Sequence, residues 1–381
     1  MENLRQCLGP LTLFRTRLLR CPLIIRAILT PTALVIFIIL FFILLLIEVP
    51  HILPIKSDHP HFIWSSHLSR NVSSYIRLDK ETALRNPHFK CSSSMKVLFI
   101  IPSSVNNTLQ RDAIRKTWGS WVRGDVVRFS FLKDYSIYDG FEGNMKLLFI
   151  LGRDEKWMEN RIGAKILKES IRHKDIIVED FIDSYTNLTL KSLFILKWID
   201  RNCPNVEFVV KADDDMFINV PNLLKVLVDP TLQNPLMLGS LICNAKPVKN
   251  PHSKWYAPSY MFSGKYPNYL SGTSYVISGN IAKKLLGAAL DTPYFHLEDV
   301  FITGICAKKI GVKPMNHKCF TYIKRAFNPC IYKDIITGHE VSGVDMKKLW
   351  NMLKNDSIMN KCMNMSSKVL YPYYPGKCVW T

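Results

Sequence analysis

The sequence predicts an α/β fold with a mainly parallel central sheet. Short apolar runs that end in turn residues alternate with stretches of helical periodicity, which is the pattern of buried parallel strands joined by helices. The chain has 381 residues, of which 48% are hydrophobic and 21% are charged, so it can bury a sizeable core and is not a disordered polypeptide. In such a sheet, ligands gather at the carboxyl ends of the strands.

Four strands and two connecting helices are assigned in order along the chain. The strands are KVLFIIPSS from Lys96, MKLLFILG at 145–152, DIIVEDF at 175–181 and EFVVKADDD at 207–215. The second strand leads into a polar helical segment through Lys168, and the third into LTLKSLFILKWIDRNC, which ends at Cys203. No internal repeat or low-complexity tract competes with this interpretation.

A membrane span is predicted ahead of these elements. Between Arg26 and Glu48 lie 21 residues without a charge, and the run from Ala33 to Ile47 is wholly apolar. This length of helix can cross a hydrocarbon core of about 30 Å. The alternatives are a buried core helix, which would carry a polar stripe, and a cleaved signal peptide, for which the residues after Glu48 offer no small-residue cleavage site. Five arginines and one glutamate before the span predict a cytoplasmic N-terminus by the positive-inside rule.

The chain is therefore divided into four segments. Residues 1–26 are a cytoplasmic tail, 27–47 a transmembrane signal-anchor, 48–92 a lumenal stem rich in Pro, His and Ser, and 93–381 the catalytic domain. The net charge is +19, and since the tail accounts for +4, the rest of the chain carries +15. A basic surface suits phosphate-bearing or acidic partners. A lumenal domain excludes nuclear DNA, so no nucleic-acid partner is expected, and nothing in the sequence indicates an oligomeric state.

Cysteines and sequons also indicate a lumenal domain. Eight of the ten cysteines follow the anchor, an even number that suits disulfide bonds in an oxidising compartment, and none forms a CxxC pair that would favour zinc. Their pairing cannot be deduced from spacing. Asn-x-Ser/Thr acceptors of N-glycosylation occur at Asn71, Asn106, Asn187, Asn355 and Asn364. The sequon at Asn187 implies that the following helix begins at an exposed position.

The acidic run after the fourth strand is the main candidate site. In an extended chain Asp213 and Asp215 project to one side and Asp214 projects away. Two carboxylates at the mouth of a parallel sheet can hold a hard divalent cation, and a diphosphate can complete its shell. The alternative is a solvated acidic turn, although three consecutive acids repel one another unless a cation or basic group offsets them.

Two later motifs carry further candidates. In HLEDV, at 296–300, a carboxylate that faces a cleft can take a proton from a sugar hydroxyl as a general base. Asp299 can equally cap the helix that follows, and both roles are compatible because they use different atoms. In ITGH, at 336–339, the neutral imidazole of His339 can ligate a metal, although an isolated histidine is more often structural.

Eight sequence blocks occur in the same order as in a known enzyme family. They are RDAIRKTWG at 111–119, FILG at 149–152, EDFIDSYTNLTLKS at 179–192, VVKADDDMFIN at 209–219, KWY at 254–256, YPNYLSGTSYVIS at 266–278, EDVFITG at 298–304 and ITGH at 336–339. On these blocks the chain resembles the β-1,3-galactosyltransferase and β-1,3-N-acetylglucosaminyltransferase family, whose Golgi type II layout the anchor, stem and sequons also resemble. Ala212 stands where the family often has a polar residue, and the C-terminal MNKCMNMSSKVLYPYYPGKCVW matches no block.

The resemblance implies a GT-A-like fold, a UDP-sugar donor, Mn²⁺, and inversion at the anomeric carbon to give a β-1,3 linkage. It implies that Asp213 and Asp215 form the metal–diphosphate site, with Asp215 the direct ligand. It further implies that Asp299 is the catalytic base and that His339 helps to hold the metal. Residues expected near the nucleotide sugar are Arg111, Arg115, Trp118, Asp213, Asp214, Lys254, Trp255, Tyr269, Gly272 and Glu298.

Some of these residues have simpler explanations. Arg111 and Arg115 lie four residues apart, on one helical face, and can approach phosphate or uracil or else belong to a solvated basic helix. Trp118, Trp255 and Tyr269 can stack on a sugar or a base, but aromatic residues in an α/β domain are more often part of the core.

The predicted function is the transfer of galactose from UDP-galactose to a 3-hydroxyl of an acceptor glycan, on a glycoprotein or glycolipid, by an enzyme of the Golgi membrane. The nearest alternative uses UDP-N-acetylglucosamine in the same fold. A non-catalytic membrane-anchored glycan-binding protein is more distant, because such a protein would have lost one of the acids or His339. A polyanion receptor would explain the charge, but this charge is spread along the chain rather than concentrated in one block.

Overall fold

A mixed eight-stranded sheet forms the centre of the folded domain. The computed structural model describes residues 69–87, 89, 91–125, 129–132, 135–154, 162–232 and 234–363, all within one unit, Phe62–Thr381. The predicted cytoplasmic tail and membrane anchor, and the sequon at Asn364, lie outside these residues. Among the residues that are described, no helix has the length and apolar character needed to span a membrane.

The secondary structure of the described residues follows the predicted alternation. The strands are β1 Ala83–Arg85, β2 Val97–Pro102, β3 Met145–Arg153, β4 Ile176–Ile182, β5 Phe208–Ala212, β6 Phe217–Ile218, β7 Met237–Ile242, β8 Tyr269–Ser278, β9 Met315–Asn316 and β10 Thr337–Gly338. The helices are α1 Thr108–Lys116, α2 Trp118–Val122, α3 Ser136–Asp139, α4 Ile162–His173, α5 Leu188–Asn202, α6 Val220–Leu227, α7 Gly279–Leu290, α8 Ala307–Lys309, α9 Pro329–Tyr332, α10 Gly343–Leu353 and α11 Asp356–Met363. Short 3₁₀ turns at Val72–Ser74 and Tyr185–Asn187 and a π-helix at Val300–Cys306 complete the order.

The large sheet has the strand order β1-β4-β3-β2-β5-β8-β7-β9. Strands β4, β3, β2 and β5 are mutually parallel, and these are the four strands that the sequence predicts. Strand β8 runs antiparallel to both β5 and β7, and β1 runs antiparallel to β4, so the sheet as a whole is mixed. A two-residue pairing of β10 with β6 forms a separate small sheet.

Both faces of the parallel strands are covered, which explains why these strands read as continuous apolar runs. In β2, Val97, Phe99 and Ile101 belong to the hydrophobic cluster on one side of the sheet. Leu98 and Ile100 belong to the cluster on the other side, and all five side chains are fully buried. Because the interiors of these strands are mostly apolar, the polar residues of the candidate site come mainly from the segments that follow the strands, at the carboxyl edge of the sheet.

The last part of the predicted stem belongs to the folded domain instead. Strand β1 pairs with β4, and Cys91 forms a disulfide with Cys203 at the end of α5. The indole Nε1 of Trp198 also donates to the side chain of Asn86 at 2.8 Å. The sequence around β1 has no sustained period, and it is ordered through these long-range contacts rather than through a pattern of its own. The domain therefore begins before residue 93.

The cysteines are only partly paired. Cys91–Cys203 and Cys330–Cys362 are disulfides, and Cys243 is also disulfide-bonded. Cys306 and Cys319, by contrast, are free thiols. The even number of cysteines after the anchor thus does not mean that every one of them is bonded.

The predicted sequons occupy different environments. The side chains of Asn71, Asn106 and Asn355 belong to exposed residues. Asn187 is half-buried, and its Nδ2 atom, which would carry a glycan, donates to the carbonyl of Ile182 at 2.8 Å. The start of helix α5 is therefore not freely exposed, contrary to the expectation from the sequon.

Candidate active site

A cleft of about 470 Å³ opens at the carboxyl ends of β2 and β5 and continues over β8 and β7. Several predicted site residues line it together, namely Asp213, Lys254, Trp255, Tyr269, Gly272, Glu298, Asp299 and His339. They come from five separate parts of the sequence. They lie close together because the ends of neighbouring strands meet at one edge of the sheet. This cleft is the candidate active site.

The three acids after β5 point in three directions. They form a turn, in which the Met216 N–H donates to the Asp213 carbonyl, rather than the extended strand that the sequence suggests. The Asp213 carboxylate accepts from Lys211 Nζ at 2.7 Å. The Asp214 carboxylate turns away, as expected, and accepts from Ser103 and Asn107 at 2.6 and 2.9 Å. Asp214 therefore anchors the turn to the loop after β2 and does not line the cleft.

His339 reaches the acidic turn through the pairing of β10 with β6. Gly338 pairs with Phe217 in this small sheet, and Val341 N–H donates to the Asp215 carbonyl at 2.9 Å. The His339 Nε2 atom lies 3.6 Å from Asp215 Oδ2. Its Nδ1 atom lies 2.7 Å from the Tyr322 carbonyl, which can only accept a hydrogen bond. Nδ1 therefore carries the proton in the neutral ring, and Nε2 presents its lone pair beside Asp215.

Asp215 and His339 place a carboxylate and an imidazole side by side, with Asp213 in the same turn, and these ligand types suit a divalent metal whose shell is otherwise open. Carboxylate oxygen and imidazole nitrogen are ligands that Mn²⁺ accepts. Burial, followed by the charge of Asp213, raises the pKa of Asp215 to about 6 although His339 opposes the shift, so a cation would relieve this crowding. In the described part of the chain, no three His, Cys, Asp or Glu side chains form a metal site on their own. Phosphate and water oxygens would have to complete the shell, as is usual for metals bound with nucleotides.

Asp299 is a half-buried carboxylate held by two backbone donors. Its Oδ1 accepts from Val300 N–H at 2.8 Å, and its Oδ2 accepts from Gly272 N–H at 3.3 Å. The first bond is the helix cap that the sequence offers as an alternative role, here at the start of the π-helix. Burial raises the pKa of Asp299, although the two backbone donors lower it in part. A raised pKa makes a carboxylate a stronger base, and the hydrogen bonds fix where it points.

Lys211 connects the acidic turn with the HLEDV motif. Its buried Nζ atom donates to Asp213 and to the Gly272 carbonyl, and lies 3.9 Å from Glu298 Oε2. Burial lowers the pKa of Lys211, but the charges of Asp213 and Glu298 outweigh this effect and the pKa is raised overall. The other carboxylate oxygen of Glu298 accepts from the Tyr275 hydroxyl at 2.8 Å. Glu298 is therefore a fixed, paired group beside Asp299.

Gly272 lets the strand and the two acids approach each other. A Cβ atom at this position would lie 3.0 Å from Glu298 Oε2 and 3.3 Å from the Cβ of Asp299. Both contacts are tighter than ordinary side-chain packing, so a larger residue would displace the acids. The absence of a side chain also keeps the backbone N–H of Gly272 within reach of Asp299.

Aromatic and basic side chains form the opening of the cleft. Trp255 is 54% exposed, and Lys254 Nζ lies 4.8 Å from the centre of its ring. Tyr269 is half-buried and packs edge-on against Tyr266 at 6.3 Å. Burial, and then the charge of Asp299, raises the pKa of Tyr269, so its hydroxyl remains protonated. These surfaces are flat and amphipathic, which suits contact with a sugar ring.

Arg111, Arg115 and Trp118 do not lie in the cleft, which corrects the expectation for all three. The two arginines are buried beneath it, where Arg111 pairs with Glu169 at 2.7 Å and Arg115 pairs with Asp175 and Glu169, each at 2.8 Å. Their guanidinium groups are thus neutralised within the protein. Trp118 is fully buried, and its Nε1 donates to the Met216 carbonyl at 3.0 Å. Arg111 also donates to Ser103 and Ser104 in the loop after β2, so Arg111 supports this loop and Trp118 supports the acidic turn.

Lys211 and Tyr275 are site residues that the sequence interpretation missed. The lysine in the apolar run EFVVKA could have indicated Lys211, because a buried lysine requires an acidic partner. The sequence around Tyr275 contains no comparable indication. Tyr275 faces Lys211 in the antiparallel register of β5 and β8, and this register is not visible in either segment alone.

Comparison with known proteins assigns the chain to a class of enzyme. The family model described as Galactosyltransferase matches residues 109–318. Beta-1,3-galactosyltransferase 1 of Homo sapiens and of Mus musculus is 34% identical over 298 residues, which cover 75% of this chain and 85% of the relative. Mouse UDP-GlcNAc:betaGal beta-1,3-N-acetylglucosaminyltransferase 7 is 32% identical over 312 residues, 79% of this chain and 73% of the relative.

The chain also aligns with the solved structure of a glycosyltransferase involved in the glycosylation of the major capsid of PBCV-1. The identity is 14% and the TM-score is 0.37, and the alignment covers 68% of this chain and 99% of that one. The assignment therefore rests on the sequence relatives. The chain is a glycosyltransferase. It belongs to the galactosyltransferase family, and the matched range includes Asp213, Asp215 and Asp299, while His339 lies beyond it.

Proposed function

We propose that this enzyme transfers galactose from UDP-galactose to a 3-hydroxyl of an acceptor glycan, with inversion to form a β-1,3 linkage. The observation that carries the proposal is a pair of groups in one cleft, the half-buried and oriented carboxylate of Asp299 and, at the acidic turn, Asp213 with His339, whose ring lies beside Asp215. Inversion by single displacement needs these two functions at opposite ends of the reacting bond. The acceptor is a glycan on a glycoprotein or a glycolipid.

In this proposal Asp299 takes the proton of the attacking hydroxyl. Its pKa is raised by burial, which favours proton transfer, and its two backbone donors hold the carboxylate in one orientation. Glu298 is already bonded to Tyr275 and lies near Lys211, so it is a paired group on the nucleotide-sugar side of the cleft rather than the base. No covalent nucleophile is required.

At the donor end, Asp215 and His339 would hold Mn²⁺, and Asp213 lies in the same turn. When bound, the metal supplies positive charge that stabilises the departing UDP. Two contacts within the protein position these groups. The Tyr322 carbonyl binds Nδ1 of His339 and orients its ring, and Lys211 neutralises the charge of Asp213. The GT-A-like arrangement that the sequence blocks imply is consistent with the mixed sheet and with an acidic turn at the end of β5.

UDP-N-acetylglucosamine is the alternative donor. The relatives carry names of both kinds, and their identities of 34% and 32% are too similar to favour either donor. The alternative of a non-catalytic glycan-binding protein is set aside, because the chain belongs to an enzyme family and retains Asp213, Asp215, Asp299 and His339. We further propose a single-pass type II protein of the Golgi membrane, anchored by residues 27–47, as the charge-free segment and its basic flank suggest.

The test is UDP release by the purified full-length enzyme in detergent with Mn²⁺, using UDP-galactose and UDP-N-acetylglucosamine against a panel of β-linked acceptors. Turnover with UDP-galactose that falls about 10²–10⁴-fold in Asp299→Asn, the usual size of general-base effects, supports the proposal. Asp291→Asn is the matched control, because this exposed aspartate ends helix α7 and lies outside the cleft. Turnover with UDP-N-acetylglucosamine but not with UDP-galactose would mean that UDP-N-acetylglucosamine is the donor. A folded enzyme that binds no UDP would overturn the catalytic proposal.

A further inference from the structure

Two lysines at the opening of the cleft carry charge that no described residue neutralises. Lys246 follows β7, and Lys254 lies further along the same loop; both are exposed and both line the cleft. Among the described residues, Lys246 makes no hydrogen bond or ion pair. Lys254 Nζ lies over the ring faces of Trp255 and Tyr185, 4.8 and 6.0 Å from the ring centres, and pairs with no carboxylate of the described residues. We call these two side chains the rim lysines.

Other lysines of this loop are bonded within the protein. Lys249 Nζ donates to the Ala257 carbonyl at 3.1 Å, and Lys265 Nζ donates to the side chain of Asn244 at 3.3 Å. Neither of them lines the cleft. The loop thus holds its outward lysines in local contacts and leaves the two cleft-facing ones available to a ligand.

The acids of the cleft are not partners for the rim lysines. Asp213 is bonded to Lys211, Glu298 to Tyr275, and Asp299 to two backbone N–H groups. The cleft therefore separates its charges, with satisfied acids at its base and unpaired cations at its opening. An anion that enters the cleft meets the rim lysines without competition from a protein carboxylate.

The position of Lys246 assigns it to the acceptor side. Along the strand order β5-β8-β7, Asp213 follows β5, Asp299 lies against Gly272 of β8, and Lys246 follows β7. In the proposed mechanism the donor diphosphate lies at the acidic turn and the acceptor hydroxyl lies at Asp299. Strand β7 lies about 5 Å beyond β8, on the side away from β5. Lys246 therefore lies farther from the diphosphate than Asp299 does, on the side where the rest of the acceptor would extend.

We propose that the acceptor glycan of this enzyme carries an anionic group, a carboxylate or a sulfate, which the rim lysines bind. The exposed face of Trp255 lies beside Lys254 and offers a surface on which the ring that bears the charge can stack. This inference rests on the proposed function, because it names the class of acceptor for the same cleft. The amides and hydroxyls of an uncharged glycan can accept hydrogen bonds, but they would leave both lysines without a counter-charge.

The experiment compares matched acceptors with the full-length enzyme in detergent. Benzyl β-galactoside is set against its 6-O-sulfate, and benzyl β-glucoside against benzyl β-glucuronide, with KM measured for each acceptor and for the donor. We expect at least one acidic acceptor to have the lower KM, and this advantage to shrink about three- to tenfold in Lys246→Gln and to disappear in Lys246→Glu. Raising NaCl should reduce the same advantage. Which of the two pairs responds distinguishes a sulfate from a carboxylate.

Lys265→Gln is the control, since it removes an exposed lysine of the same loop outside the cleft, and it should leave the preference for the acidic acceptor intact. Equal KM values for acidic and neutral acceptors in the parent enzyme would overturn the inference while leaving the transferase proposal in place. A rise in the KM of the UDP-sugar, rather than of the acceptor, would assign the rim lysines to the donor and also overturn it. Absence of transfer to every acceptor would instead count against the proposed function.

Discussion

His339 Nε2 lies 3.6 Å from Asp215 Oδ2, and the contact depends on a two-residue strand pairing. Thr337 pairs with Ile218 and Gly338 with Phe217, which sets the ITGH motif alongside the acidic turn. A Cβ at Gly338 would lie 2.4 Å from the ring of Tyr332, so the close packing beneath this pairing requires glycine. The histidine is thus positioned by backbone hydrogen bonds and not by the flexible reach of a side chain.

Removing the imidazole should weaken the response to metal. We expect His339→Ala to raise the Mn²⁺ concentration needed for half-maximal activity by about tenfold or more, because groups that hold and orient a bound metal affect its affinity on this scale. The measurement is UDP release as a function of Mn²⁺. His252→Ala is the control, since His252 is an exposed histidine outside the cleft. An unchanged Mn²⁺ dependence in His339→Ala would mean that His339 is not part of the metal site.

A methyl group at Gly272 should reduce activity without unfolding the protein. The added Cβ meets Glu298 Oε2 at 3.0 Å and the Cβ of Asp299 at 3.3 Å, so Asp299 must move from its backbone donors. A displacement of about 1 Å can cost about 10²-fold in rate, and we expect kcat to fall by this order in Gly272→Ala.

The control is Gly287→Ala, where a Cβ meets nothing within 4 Å in the middle of helix α7. This change should leave kcat intact and stabilise the helix by about 0.4–1 kcal/mol. Full activity of Gly272→Ala, measured by UDP release, would mean that the acids tolerate displacement and that the close approach is not functional.

Arg115 should prove to be a stability residue. Its guanidinium is 2% exposed and pairs with both Asp175 and Glu169, so Arg115→Leu leaves two buried carboxylates without their partner. Breaking a buried pair from one side typically costs about 3–5 kcal/mol. Urea unfolding should report a loss of this size, whereas Lys116→Leu, on the exposed neighbour, should change stability by less than about 1 kcal/mol. Weaker UDP binding at unchanged stability would restore the nucleotide-binding interpretation of the arginine motif.

The sequence predicts the strands and the acids well because both are local signals. Apolar runs identify β2, β3, β4 and β5, and the acidic turn and Asp299 stand out as charges next to apolar segments. The environment of the arginines could not be predicted in this way. Whether Arg111 meets a phosphate or Glu169 depends on how helix α4 packs against α1, and no pattern within the RDAIRKTWG block reports that packing.

Long-range pairing accounts for the other differences. Residues 69–91 read as an irregular stem, yet β1 joins the sheet through β4 and through a disulfide to the end of α5. A strand of three residues carries too little periodicity to be recognised. The opposition of Lys211 and Tyr275 likewise follows from the register of β5 against β8, which is a property of the assembled sheet.

Glu179 should make stability depend on pH. The residue lies in β4, is 2% exposed, and accepts from Thr82 at 2.6 Å; burial raises its pKa to about 7 from an ordinary value of 4.5. The folded state therefore binds a proton more tightly than the unfolded state does. Between about pH 5 and 7 stability falls as the pH rises, and above the folded pKa the loss is complete, amounting to roughly 3 kcal/mol.

Glu179→Gln tests this dependence, because the amide retains the shape of the protonated acid and cannot ionise. Melting curves from pH 5 to pH 8 should show the parent enzyme losing stability relative to the variant as the pH rises. Glu142→Gln, at an exposed acid before β3, is the control and should follow the parent enzyme. A constant difference between parent and Glu179→Gln across this range would mean that Glu179 titrates normally in the folded state.

The two outermost strands of the large sheet are its shortest described members. Strand β1 has three residues and β9 has two, and they occupy opposite ends of the strand order. Short border strands offer a second molecule little template on which to extend the sheet. We therefore expect these borders to disfavour edge-to-edge association between copies of the enzyme.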